Sequence, residues 1–345
     1  MKETAIVLCE GQFSNFTGKT ARGLVKHSER FKILGILDST NAGKDAGEVL
    51  DGVHRGIPIF AHLDEALQKE KPTYLIIGVA TIGGRLPDEF RAIIAQAIKN
   101  GINIISGLHE FLSEDREFSA LAREHNVQII DIRREPPLKK MHSFQNRAGK
   151  LPAVRVAVMG TDSSIGKRTV AIELTKALKA RGRRAVFVAT GQTGLLQGAR
   201  YGLPLDAIQG DYMVGELEHQ ILLAYEGEKA EYIIVEGQGS ISHPAYVCCS
   251  RAILSASQPS GIVLVHAPGR KYRHYGLGEL NLPMPALKKE IKMLEMFSGS
   301  RVVALALNDE NMSQTEVMHA AQDYEAEFKI PVIVASKEGM ERLVK

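Results

Sequence analysis

Gly166 and Lys167 stand where an apolar run, Val154 to Gly160, meets an amphipathic one, within VRVAVMGTDSSIGKRTVAIELT. Strand, glycine-bounded loop and helix in that order make a phosphate cradle. Loop N–H groups and the open helix N-terminus converge on one spot, and Lys167 adds a full positive charge there. The same kind of turn also serves simply to pack a helix on a sheet, but strand, Gly, Gly-Lys and helix together are more specific than that. The candidate phosphate-binding set is Gly160, Thr161, Asp162, Ser163, Ser164, Ile165, Gly166, Lys167, Arg168 and Thr169. The loop is irregular. The common P-loop has four residues between its glycines and a Mg²⁺-binding Ser or Thr directly after Lys; here five residues, Thr161 to Ile165, intervene and Arg168 follows Lys167, so that Thr169 comes one place late.

In an open α/β sheet ligands collect beyond the C-terminal ends of the strands. In this half those ends read Gly191-Gln192-Thr193-Gly194, Glu236-Gly237-Gln238-Gly239, His266 with Arg270, and Asn308-Asp309, all expected to line one crevice with Lys167. YIIVE ends four apolar-strand positions in an acid, so Glu236 can hold Mg²⁺, act as a general base, or cap the glycine-rich turn. His243, kept out of a helix interior by Pro244, is either a proton shuttle or a turn-stabilising hydrogen-bonding group. Gln192, Gln238, His266 and Arg270 are the candidate substrate contacts, Arg270 suited to a bidentate grip on a carboxylate or phosphate. The cluster Arg270, Lys271, Arg273 and His274 has the alternative of a solvated face.

The elements that position these groups alternate strand and helix along the whole chain, predicting parallel sheets covered by helices. In the first half the strands are expected at 5–9, 32–37, 74–79, 102–105 and 127–132, with a helix opened by Pro87 and closed by Asn100-Gly101. This is a Rossmann-like pattern, yet the first turn, CEGQFSNFTGKT, lacks GxGxxG, so dinucleotide binding through Asp38 is doubtful. Gly83-Gly84-Arg85 and Ser106 to Glu110 also follow strands and predict a separate crevice. The irregular, basic stretch 141–150 reads as a linker between a Rossmann-like domain, 1–140, and a P-loop NTPase-like doubly wound domain, 151–345, in which strands are expected at 185–189, 232–235, 262–266, 302–307 and 332–335.

The 345 residues suit two domains, and 44% hydrophobic with 24% charged residues is ordinary for a globular chain. A net charge of +3 argues for neither nucleic acid nor a membrane as partner. The N-terminal apolar run is too short for a signal peptide, and three cysteines without metal-binding spacing fit a cytoplasmic protein. Two-domain enzymes of this size are commonly homo-oligomers, which is the expectation for this chain.

The segments DSTNAGKDAGEVLDG, GGRLPDEFR, SGLHEFL, GTDSSIGKRT, ATGQTG, EGQGSISHPAY and HAPGR together resemble the two-domain P-loop family, formerly of unknown function, that includes D-glutamate N-acetyltransferase-like proteins. That resemblance implies both domains, acetyl-CoA as acyl donor and a D-amino acid as acceptor. The C-terminal half is also similar to dethiobiotin synthetase, in its GTD-x3-GK loop and its VEG strand end, which implies ATP, Mg²⁺ at Glu236 and carboxylate activation instead. Missing the usual metal hydroxyl, with Arg168 in its place, the loop leans toward CoA phosphates. In the leading expectation it holds those phosphates, Arg270 binds a carboxylate, and Glu236 or His243 takes the ammonium proton. A nucleotide-controlled switch without catalysis is a third reading.

Overall fold

The computed structural model describes residues 2–275, 278–335 and 337–344. The chain forms two compact bodies, one of Met1–Glu135 with Gln192–Gly198, the other of Pro136–Gly191 with Ala199–Lys345.

In the first body six strands, β1 (Glu3–Leu8), β2 (Phe31–Leu37), β3 (Ile59–Phe60), β4 (Tyr74–Ile77), β5 (Asn103–Ser106) and β6 (Ile129–Asp131), form one sheet. Their order is β3-β2-β1-β4-β5-β6, and all pairs are parallel. Because both faces are covered by helices, the strands are continuous aliphatic runs rather than alternating ones. Phe13, Phe31, Phe90 and Phe118 are its largest fully buried side chains. The two-residue β3 escaped the sequence reading because so short a run carries no period.

The short helix Gln192–Gln197 belongs to this body, although it follows a strand of the other. Leu196 enters the first body's core, Gln197 Nε2 donates to the Gly23 carbonyl at 2.7 Å, and the Thr193 and Thr20 hydroxyls pair at 3.1 Å.

The second body has β7 (Val154–Gly160), β8 (Ala185–Ala189), β9 (Tyr201–Gly202), β10 (Tyr232–Glu236), β11 (Gly261–His266), the hairpin β12 (Tyr272–Tyr275) and β13 (Gly278–Pro283), β14 (Val302–Leu307) and β15 (Val332–Val334). Its parallel sheet runs β15-β14-β11-β7-β10-β8-β9, with β7 in the interior. The side-chain period of two divides the core. Ala157, Met159, Val235 and Leu264 join the apolar cluster on one face, while Val158, Ile234 and Val263 join the other with Val170 and Leu174 of the helix Lys167–Ala180.

Residues 141–150, expected as a linker, are instead built into the second body. Glu218, 1% exposed on the helix Gly210–Glu228, accepts from the backbone N–H groups of Gln145 at 2.7 Å, Arg147 at 2.6 Å and Ala148 at 3.1 Å. Glu216 accepts from His142 N, and the His142 ring stacks on His219 at 3.6 Å between centroids. Prolines and polarity advertised irregular backbone; the two carboxylates that tie it down lie some seventy residues later. No helix among the described residues is long and apolar enough to cross a membrane.

Candidate active site at the phosphate loop

The loop leaves β7 between two parallel neighbours, which brings the ends of β10 and β11 to its flanks. Thr161 N donates to the Val265 carbonyl at 3.0 Å, and Asn308 Nδ2 to the Ile165 carbonyl at 3.0 Å. These bonds pin the loop at both sides. Ser164 at φ +53° and Gly166 at φ +97° turn the chain sharply into the helix Lys167–Ala180. At Gly166 only glycine adopts that angle without strain. Among the described residues no backbone carbonyl accepts from the N–H of Ser163, Ser164, Ile165 or Gly166. Unspent donors beside a helix N-terminus are what a phosphate requires. Lys167 is buried and curls back so that Nζ donates to the Asp162 carbonyl.

Asp162 is the hub behind the loop. Its Oδ2 accepts from Arg270 Nη1 at 2.9 Å and from His274 N at 2.9 Å. Its Oδ1 lies 3.5 Å from His243 Nε2, and both atoms are buried without a hydrogen-bond partner of good geometry among the described residues. Nδ1 of His243 accepts from Ala245 N at 3.1 Å, which puts the neutral ring's proton on Nε2, facing Asp162. Burial lowers the pKa of this imidazole, with Asp162 opposing.

Arg270 is held inside the wall of the site. Besides Asp162 it donates to the Ser163 carbonyl at 2.8 Å and, through Nε and Nη2, to the Glu310 carboxylate. Its side chain is only 2% exposed. Arg273 is likewise buried and donates to Ser240 Oγ at 3.1 Å and Ser242 Oγ at 2.7 Å. Neither belongs to a solvated face. Spacing could not reveal this, because the partners come from distant loops.

Glu236, 5% exposed at the end of β10, accepts from Thr190 N at 3.0 Å. Burial raises its pKa, and the guanidinium of Arg168 is the largest opposing influence, followed by backbone N–H groups and Lys167. The positive charge of Arg168 favours the ionised form of Glu236, and burial lowers its own pKa. Gln238 Nε2 donates to the Thr190 carbonyl, closing the same turn. His266, at the end of β11, binds Thr161 Oγ1 through Nδ1 at 2.9 Å. Loop, Glu236, Gln238, His243, His266 and Arg270 thus gather at one end of the sheet.

Gln192 does not join them. With its amide oriented to satisfy both neighbours, it donates to the Gly107 carbonyl at 2.9 Å and accepts from Arg133 Nη1 at 3.2 Å, all within the first body. In that body Asp38 is spent locally, accepting from Gly11 N at 3.0 Å, Thr40 Oγ1 at 2.6 Å and Asn41 Nδ2 at 2.8 Å. The runs Gly83-Gly84-Arg85 and Ser106 to Glu110 also bind each other, His109 N and Glu110 N donating to the Gly84 carbonyl.

Among the described residues no group of three His, Cys, Asp or Glu is spaced to hold a metal ion. The charges of Arg168 and Lys167 act on Glu236, and Thr169 is the first hydroxyl after Lys167.

Fold and loop define a P-loop body joined to a Rossmann-like body. The chain belongs to the DUF1611 family: residues 142–344 match its C-terminal P-loop domain and 39–135 its N-terminal Rossmann-like domain, each described as a domain of unknown function. A protein named D-glutamate N-acetyltransferase from Pseudoalteromonas sp is 31% identical over 275 residues, 78% of this chain and 79% of that one. One of the same name from Tritonibacter scottomollicae is 29% identical over 273 residues, with the same coverage. The crystal structure of a DUF1611 family protein from Anabaena variabilis superposes with a TM-score of 0.87 at 31% identity, covering 96% of this chain and 95% of that one. The N-acetyltransferase name of the relatives points to an enzyme.

Proposed function

We propose that this protein is an N-acyltransferase that moves an acetyl group from acetyl-CoA to the amino group of a D-amino acid of the D-glutamate type. The observation that carries the reading is the pairing of a phosphate cradle, N–H donors with Lys167 and Arg168, with the buried carboxyl of Glu236. The relatives' shared name supplies the reaction class.

In this reading the N–H groups of Ser163 to Gly166, with Lys167 and Arg168, hold the CoA phosphates. The thioester supplies the acyl carbon. An ammonium has no lone pair, so the acceptor must first lose a proton. Glu236 takes it: burial makes its carboxylate more basic than usual, while Arg168 and Lys167 keep a charged fraction available. A C–N bond then forms at the carbonyl carbon, the C–S bond breaks, and the CoA sulfur leaves as a thiolate that picks up a proton. His243 serves as a positioning residue, since Nδ1 is committed to Ala245 and Nε2 faces Asp162.

Thiol release from acetyl-CoA, measured with a panel of D- and L-amino acids, tests the proposal. Release with D-glutamate, insensitive to EDTA and lost in Lys167→Met, is expected. Silence across the panel, or Mg²⁺-dependent ATP consumption in its place, overturns it in favour of a ligase or a nucleotide-reading protein.

A further inference from the structure

Three aromatic rings lead outward from the phosphate loop. His243, facing Asp162, has its ring 4.8 Å from that of Tyr246, which in turn lies 5.5 Å from that of Tyr275 between centroids. Burial falls along the series: His243 is 1% exposed, Tyr246 is half-buried and Tyr275 is 48% exposed. The two tyrosine rings are inclined at 50°, so they do not stack face to face on each other. Glycine at 239 is what admits Tyr246, because a Cβ there would lie 2.7 Å from the Tyr246 Cβ.

A single exposed tyrosine is ordinary on a protein surface. Tyr275 differs because the strand that carries it is fastened to the cradle. One residue before it, His274 N donates to Asp162 Oδ2, and the His274 carbonyl accepts from Ser163 Oγ at 3.0 Å. Two residues before it, Arg273 is anchored on Ser240 and Ser242, in the turn that leads from Glu236 to His243. β12 therefore sets Tyr275 beside Ser163, where the open N–H groups of the loop begin. At the end of β14, on the other flank, the Asn308 amide donates to the Ile165 carbonyl and accepts from Glu310 N at 2.9 Å, so it is already engaged within the protein.

We infer that Tyr246 and Tyr275 form the seat for the purine of the nucleotide whose phosphates lie in the loop. A phosphate on the N–H groups of Ser163 to Gly166 puts the rest of its nucleotide within reach of these rings, and every base offers a π-face to an aromatic side chain. Stacking reads a flat ring rather than a pattern of donors and acceptors, so the seat suits the adenine of CoA and of ATP alike. The inference rests on the phosphate-cradle part of the reading above and is independent of acyl transfer.

Calorimetry of the full chain with CoA, ATP and base-free pyrophosphate tests it. CoA or ATP is expected to bind about 5-fold or more tighter than pyrophosphate, the scale of one base–aromatic stack. Tyr275→Ala should weaken that nucleotide by about 5-fold or more, with pyrophosphate affinity and melting temperature little changed. Tyr275→Phe, which keeps the ring, should bind the nucleotide within about 2-fold of wild type. The chain has no Trp, so its tyrosine emission is read directly, and the nucleotide is expected to quench it where pyrophosphate does not. Nucleotide binding no tighter than that of pyrophosphate, or equal binding by Tyr275→Ala and wild type, overturns the inference and leaves the cradle standing. Binding of none of the three overturns both. Stacking without thiol release supports the inference and counts against acyl transfer alone.

Discussion

Asp162 Oδ2 and Arg270 Nη1 meet at 2.9 Å with side chains 0% and 2% exposed, so the phosphate loop is fastened from behind by a desolvated ion pair. Removing one partner of a buried pair costs about 3–5 kcal/mol when the other is left uncompensated, and Glu310 on the far side of Arg270 brings Asp162→Asn to the lower end of that range. Asp162→Asn is expected to lower unfolding stability on that scale in urea titrations. The double variant Asp162→Asn/Arg270→Met should lose less than the sum of its single variants. Strict additivity would show that the pair is not coupled.

Lys167 contributes the loop's buried positive charge. A charge-assisted hydrogen bond is worth about 1.5–3 kcal/mol, so Lys167→Met should weaken CoA binding about 10- to 100-fold by calorimetry. Unfolding midpoints of the variant and the wild type, compared in urea, separate loss of this charge from loss of the fold.

Glu236→Gln removes the proposed base while keeping an acceptor for Thr190 N. The expected loss in kcat is about 10²- to 10⁴-fold, with CoA affinity little changed. Since burial raises this carboxyl's pKa, the wild-type rate should climb with pH above the usual carboxylate range. That ascending limb should vanish in the variant. Equal activity in both proteins would remove Glu236 from the mechanism.

His266 links stability to acid. Burial lowers its pKa from 6.5 to about 4, so below the unfolded value the unfolded chain binds a proton that the folded chain refuses. Stability is therefore full above pH 6.5 and lost as pH falls toward 4, by about 3 kcal/mol. Urea midpoints compared at pH 7 and pH 4 should show this drop in the wild type and a smaller one in His266→Gln.

Glu218→Ala strips the acceptors from the N–H groups of Gln145, Arg147 and Ala148. The expected result is faster trypsin cleavage at Lys139, Lys140 and Arg147. Protection equal to wild type would show that the stretch is held by other means.

The sequence made the cradle and most of the strands readable because both are local signals. Gly166, Lys167 and the apolar run before them are contiguous, and fully buried parallel strands announce themselves as aliphatic stretches. What was hidden depends on residues far apart in the chain. Arg270 carried a charge suited to a ligand carboxylate, yet Glu310 and Asp162 take its guanidinium. Gln192 stood at a strand end where a site residue is expected, but its helix completes the other body. His243 was visible only as a loop histidine. Its tautomer needed the Ala245 N–H to be seen.

That helix also affects how the protein is made. Leu196 fills a place in the core of a body whose other buried core residues all lie before Glu135. On the ribosome that place in the core stays open until more than half of the chain has been made. A polypeptide cut at the apparent boundary near residue 140 would never receive the plug.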